Sequence, residues 1–109
     1  MITRILLIPH ANFFSLGYPW GELGSATICD LGSGVGAISM ELAKAYPDLK
    51  FVLQDMPNRL EQGKTEIWPE RCPEALARNR VQWAPIDLLT ETPVPGCDVY
   101  YVSRSSYHI

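Results

Sequence analysis

Apolar and polar positions along the chain follow two different periods. Residues 26–31 (ATICDL), 49–54 (LKFVLQ), 81–86 (VQWAPI) and 97–102 (CDVYYV) are short apolar runs bounded by glycine, proline or acidic residues. Such runs predict strands buried on both faces, as in a parallel sheet. Between the first two, Val35, Ile38, Leu42, Ala45 and Tyr46 recur at helical spacing, with Ser39, Glu41 and Lys44 turned outward and Pro47 closing the helix. A weaker face of Leu60, Lys64 and Ile67 predicts a second helix over residues 59–68. Pro69 and Pro73 bracket a polar connector, and residues 88–96, with Pro93 and Pro95, read as a loop. The order strand, helix, strand, helix, strand, loop, strand predicts an α/β domain with a mostly parallel sheet.

The first 24 residues are less regular. Residues 2–8 fit a short strand or the apolar remainder of a helix. Phe13, Phe14, Leu16, Tyr18 and Trp20 form an aromatic-rich lead-in broken by Gly17, Pro19, Gly21 and Gly24. It reads either as a loop packed on the domain or as the remnant of a linker. The expected division is a lead-in over residues 1–24 and a domain over 25–109.

The glycines set the candidate chemistry. Thr27 to Asp55 reads strand, glycine-rich turn, helix, strand and terminal carboxylate, a unit suited to a nucleoside-containing cofactor. Gly32, Gly34 and Gly36 remove side chains where the backbone turns and a ligand must approach closely. With Ala37 they also satisfy a loose dinucleotide pattern, so spacing alone leaves NAD open. Asp30 argues against it, because a carboxylate inside the turn repels a pyrophosphate but helps hold the ammonium of a methionyl group. Asp55 stands where an acid accepts both ribose hydroxyls, and Asp87, after the third predicted strand, suits the exocyclic amine of adenine. All three acids lie near strand carboxyl ends, where ligands of open α/β sheets bind. S-adenosylmethionine is the cofactor this set fits.

Composition removes other classes. A chain of 109 residues with net charge −3 and pI near 5.2 has no long-range attraction for nucleic acid or anionic membrane. Cys29, Cys72 and Cys97 are far apart and make no CxxC pair, and with only His10 and His108 no metal site is expected. Reduced structural cysteines and a cytoplasmic location are the expectation. The apolar run before Pro9 and His10 is shorter than the ~7–15 residues of a signal core or the ~20 of a membrane helix.

Three segments, TICDLGSGVGAISMELAKAYPDLKFVLQDMP, RVQWAPIDLL and PGCDVYYVSR, resemble the cofactor domain of plant and fungal small-molecule O-methyltransferases of the caffeate and flavonoid type. YPWGELGSAT resembles the entry to that domain, and QDMP is more specific than the glycines. The resemblance implies a partial Rossmann-like methyltransferase domain, with four strands present and an open edge on the fourth. It implies that Asp30, Gly32 and Gly34 line the methionine end, Asp55 the ribose, and Met56, Asp87 and Leu88 the adenine. It also implies a small-molecule hydroxyl acceptor, whose proton is removed by a histidine after the fourth strand. The amine-methylating pattern [DN]PP[YFW] is absent there, where the chain reads VYYVSRSS.

The family pattern LRxxLHDW becomes VSRSSYHI here. Aligned without a gap, Tyr107 takes the catalytic place; one inserted residue puts His108 there. A one-residue step turns a helical side chain by about 100°. His108 is the candidate base, and a solvent-facing histidine is the alternative. The expected reading is a fragment whose isolated chain is inactive, with the exposed edge of CDVYYV free to pair with another chain. A noncatalytic module that binds S-adenosylmethionine or a partner, and an NAD-dependent oxidoreductase fragment, are the other readings.

Overall fold

The computed structural model describes residues 4–8 and 18–103; Tyr107 and His108 lie outside them. Every predicted apolar run contains a strand: β2 (Thr27–Leu31), β3 (Lys50–Gln54), β4 (Val81–Trp83) and β5 (Val99–Ser103). The N-terminal run adds β1 (Arg4–Ile8). All pairs are parallel, in the order β1-β5-β2-β3-β4. Alternate residues bury both faces. Ile28, Phe51, Leu53, Val99 and Tyr101 enter the main core with α1 (Ala37–Ala45), while Cys29 and Val52 pack with Cys97 in a second cluster beneath residues 84–97. All three cysteines are free and buried.

The open edge expected on the last strand is corrected by β1. Arg4 to Ile8 pair in register with Val99 to Ser103, so β5 lies between β1 and β2 instead of at the margin. The sequence left residues 2–8 open between strand and helix because a partner 95 residues away, as in Arg4↔Val99, leaves no local trace. The lead-in is also tied to the core. Trp20, in a single 3-10 turn (Trp20–Glu22), is buried edge-on against Tyr101 with ring centroids 6.2 Å apart.

Two helical faces differ from the periodicity. In α1 the buried residues are Ser39, Met40, Leu42 and Ala43, and Ala45 is exposed. Ser39, expected outward, turns in because its hydroxyl bonds a buried carboxylate on β2. The second predicted helix begins earlier, as α2 (Pro57–Gln62), widens into a π-turn segment (Gly63–Ile67), and resumes as α3 (Trp68–Arg71). The wider turn moves the inward face from Lys64 to Gly63 and Trp68. The short α4 (Pro73–Ala77) then leads into β4. That strand ends at Trp83, three residues before the predicted boundary, because Pro85 has no amide to donate. The ladder nevertheless continues irregularly, with Ala84 N donating to Leu53 O at 2.9 Å and Ile86 N to Asp55 O at 2.9 Å.

Arg80, just before β4, is 5% exposed and joins four elements. Nη2 donates to the carbonyls of Ala43 and Tyr46 at the end of α1, Nε to Leu49 O, and Nη1 to Glu74 Oε2 at 2.8 Å. It supplies a donor to Ala43 O at the end of α1 and a second donor to Tyr46 O, which also accepts Leu49 N at 3.2 Å. Arg80→Ala is expected to cost about 3 kcal/mol in urea unfolding, from stranded carbonyls more than from the ion pair. Glu74→Gln, at the half-exposed partner, is expected to cost less than about 1 kcal/mol. Equal losses for the two variants would show that the capping account is wrong.

Candidate functional site

The carboxyl end of β3 organises the surroundings. Gln54 O accepts the amides of Gly32 (2.8 Å) and Ser33 (3.2 Å), and Asp55 Oδ2 accepts that of Gly34 at 2.6 Å. Asp55 Oδ1 accepts the amide of Met56 at 2.6 Å. Each carboxylate oxygen keeps a further lone pair. The Gln54 side chain holds the opposite wall: Nε2 donates to Ala84 O, and Oε1 accepts Val94 N at 2.9 Å. The sequence places Gln54 at a strand end and in the QDMP resemblance, with no role for its side chain.

The glycine turn fits closely against α2 and α3. Gly36 has φ of 88°, and a Cβ there would lie 2.7 Å from Leu53 Cδ1 and 2.9 Å from the Trp68 indole nitrogen. That nitrogen donates to Val35 O at 2.9 Å, and a Cβ on Gly63 would come within 2.6 Å of the same carbonyl. Glycine is therefore required on both sides of this contact.

A cavity of about 800 Å³ opens between the ends of β3 and β4. Asp55, Met56, Asp87 and Leu88, separated by some thirty residues of chain, line it together with Ile86 and Glu91. The backbone bond from Ile86 to Asp55 is what brings Asp87 to this place. Asp87 Oδ1 accepts Leu89 N at 3.0 Å, while Glu91 Oε1 accepts Asp87 N at 2.9 Å. Met56, Leu88 and Leu89 stay exposed around the opening, Leu89 at 94%, which leaves apolar surface suited to a planar heterocycle. Glu91 was not foreseen, since one acid in a polar loop gives no periodic signal.

Asp30 does not line this cavity. It lies 2% exposed beside α1 and β5, where Oδ2 accepts the hydroxyls of Ser39 and Tyr101, both at 2.7 Å. Its Oδ1 has no hydrogen-bond partner. Burial raises the carboxyl from 3.8 to about 6, against the lowering effect of the two hydroxyls. Burial, then the neighbouring Asp30 charge, holds the Tyr101 phenol well above its ordinary value, so it remains a donor. Tyr101 and Ser39 were read as strand and surface residues; neither role is visible without the fold. The candidate base His108 lies outside the described residues. Among those described, no group of three or more His, Cys, Asp or Glu is placed to hold a metal ion.

Asp30 makes stability depend on pH in a direction unusual for an acid. Below about pH 4 it is neutral in both folded and unfolded chains. Between about 4 and 6 the unfolded chain loses the proton first, so stability falls as pH rises, by a total on the order of 3 kcal/mol above pH 6. Asp30→Asn is expected to remove this component. Urea unfolding at pH 4 and pH 8 should show the variant gaining on the wild type at the higher pH; parallel profiles would exclude it.

Comparison with known proteins gives the family and the fold. The family described as the O-methyltransferase domain matches residues 23–108. The chain is 42% identical over 90 residues to O-methyltransferase cicE of Emericella nidulans, covering 83% of this chain and 17% of that protein. The apo structure of the S-adenosylmethionine-dependent methyltransferase SibL superposes with TM-score 0.65 at 27% identity, covering 84% of this chain and 25% of that one. Human N-acetylserotonin methyltransferase in complex with SAM does so with TM-score 0.56 at 26% identity, covering 72% and 20%. The chain spans about a fifth of the length of the curated relatives it matches. From Leu23 onward, with its glycine turn, strand-end acids and parallel sheet, the chain belongs to the O-methyltransferase domain family.

Proposed function

We propose that this chain forms the S-adenosylmethionine-holding part of an O-methyltransferase acting on a hydroxyl of a small aromatic or secondary metabolite. The observation that carries this reading is the shared cavity, with Asp55 at one wall and Asp87 at the other. In it, the free lone pairs of Asp55 accept the ribose hydroxyls, Met56 and Leu88 flank adenine, and Asp87, aided by Glu91, accepts from its amine. Gly32 and Gly34 admit the methionine end, with Asp30 below them supplying negative charge for its ammonium. The orphaned Oδ1 of Asp30 supports a cationic ligand group, because an unpaired buried carboxylate oxygen is costly.

The turn also argues against a dinucleotide. Four of the five amides from Gly32 to Gly36 are already bonded inside the protein, leaving the turn little to offer a pyrophosphate. When bound, S-adenosylmethionine supplies an electrophilic methyl group on a sulfonium. His108 is assigned the proton of the acceptor hydroxyl, the step that turns a weak nucleophile into a competent one. The net charge of −3 favours a small molecule over nucleic acid as acceptor. No helix among the described residues is long and apolar enough to cross a membrane, and three free cysteines suit a reducing cytoplasm. Self-association by strand pairing has the outer edge of β1, where Ile5 is exposed, in place of β5.

Calorimetric titration with S-adenosylmethionine, S-adenosylhomocysteine and NAD tests the reading. The first two are expected to bind and NAD to give no heat. Asp55→Asn is expected to weaken both adenosyl ligands by roughly 10–100-fold, the loss of charge-assisted hydrogen bonds to the ribose. Binding of NAD alone would overturn the assignment.

A further inference from the structure

Arg59 lays its guanidinium against the glycine turn. It lies in the first turn of α2, four residues after Asp55, and is exposed. Its guanidinium reaches back over the turn: Nη1 is 3.9 Å from the position a Cβ on Gly34 would occupy. It forms no ion pair among the described residues, whereas Arg78 and Arg80 both pair with Glu74. The helix that carries it is fixed to the turn through the Trp68 bond to Val35 O and the close seat of Gly63 on that carbonyl. A cation thus stands over the glycine turn and makes no ion pair with a described residue.

The zwitterionic end of the cofactor supplies a matching charge. Asp30, though buried, supplies negative charge for its ammonium, but its carboxylate finds little in the turn, where Gly32, Ser33, Gly34 and Gly36 already donate their amides internally. We propose that Arg59 binds the α-carboxylate of S-adenosylmethionine and so selects ligands that keep the amino-acid end intact. A planar guanidinium can meet a carboxylate with two parallel hydrogen bonds, giving direction as well as charge. Arg59 then acts opposite Asp30: one receives the negative end of the methionyl group, the other its positive end. The inference rests on the cofactor reading of the Asp55–Asp87 cavity and deepens it.

The test compares three probes by calorimetry: S-adenosylmethionine, its decarboxylated form, which keeps the ammonium, and 5′-methylthioadenosine, which has neither group. Wild type is expected to favour S-adenosylmethionine over the decarboxylated probe. Arg59→Ala is expected to weaken S-adenosylmethionine by roughly 10–100-fold while leaving 5′-methylthioadenosine unchanged, with Arg59→Lys in between. Because 5′-methylthioadenosine reports the adenosine site, its unchanged affinity also shows that the variant is folded. An unchanged affinity of Arg59→Ala for S-adenosylmethionine overturns the inference and leaves the cofactor reading standing. Equal weakening of all three probes overturns it too, by showing that Arg59 shapes the fold and not the carboxylate contact. Failure of wild type to bind any probe overturns the cofactor reading and the inference with it.

Discussion

Two consecutive residues at the end of a central strand, Gln54 and Asp55, hold both walls of the site. The carbonyl of Gln54 and the carboxylate of Asp55 take three successive amides of the glycine turn. The carbonyl of Asp55 accepts Ile86 N, and the side chain of Gln54 accepts Val94 N and donates to Ala84 O. A turn and a proline-rich loop that share no helix or strand are thereby fixed relative to one another. Loops over a sheet end would otherwise sample many arrangements, and ordering each residue costs on the order of 1–2 kcal/mol. Binding a cofactor between them would carry that ordering cost if the protein had not already met it in folding.

The same turn separates charges that the protein does not neutralise. Asp30 is buried with one oxygen unpartnered, and Arg59 stands over Gly34 without an ion pair among the described residues. Burial of a carboxylate with half its hydrogen bonds missing works against the fold, as its raised proton affinity records. Tyr101 and Ser39 limit the penalty by donating to the same oxygen, and in doing so they leave Oδ1 unpaired. A neutral side chain would suit the core better. The strain is intelligible at a ligand site, where an arriving cation gains the interaction that the protein lacks.

Much of this architecture was legible in the sequence. The four apolar runs, the glycine turn and the acids at 55 and 87 depend on local composition and on strand-end placement, which short windows record. Ser39, Tyr101 and the position of β1 were not legible, because each is decided by a partner far along the chain. Ser39 shares the helical period of Leu42 and Ala43, but its hydroxyl reads as a surface group until Asp30 on β2 supplies an inward partner. The α2–α3 segment shows another limit. A π-turn inserts one residue into the helical count, so a regular spacing selects Lys64 where the fold buries Gly63 and Trp68. Glu91 reaches the cavity only because the loop after Pro85 folds back on Asp87.

The insertion of β5 between β1 and β2 links assembly of the sheet to completion of the site. This strand, at the far end of the described chain, carries Tyr101, so until it docks, Asp30 lacks one of its two donors and is open to water. Docking removes the carboxylate from solvent, which opposes insertion by a few kcal/mol at neutral pH. The same event buries Val99, Tyr101 and Val102 and seats Trp20 edge-on against the Tyr101 ring. At roughly 1.5–3 kcal/mol for each large apolar side chain, that burial offsets the opposing electrostatic effect. Pairing with β1 also covers the second edge of β5. The chain thus uses the packing of Trp20, Val99 and Tyr101 to hold in place a polar group that, left to itself, would favour water.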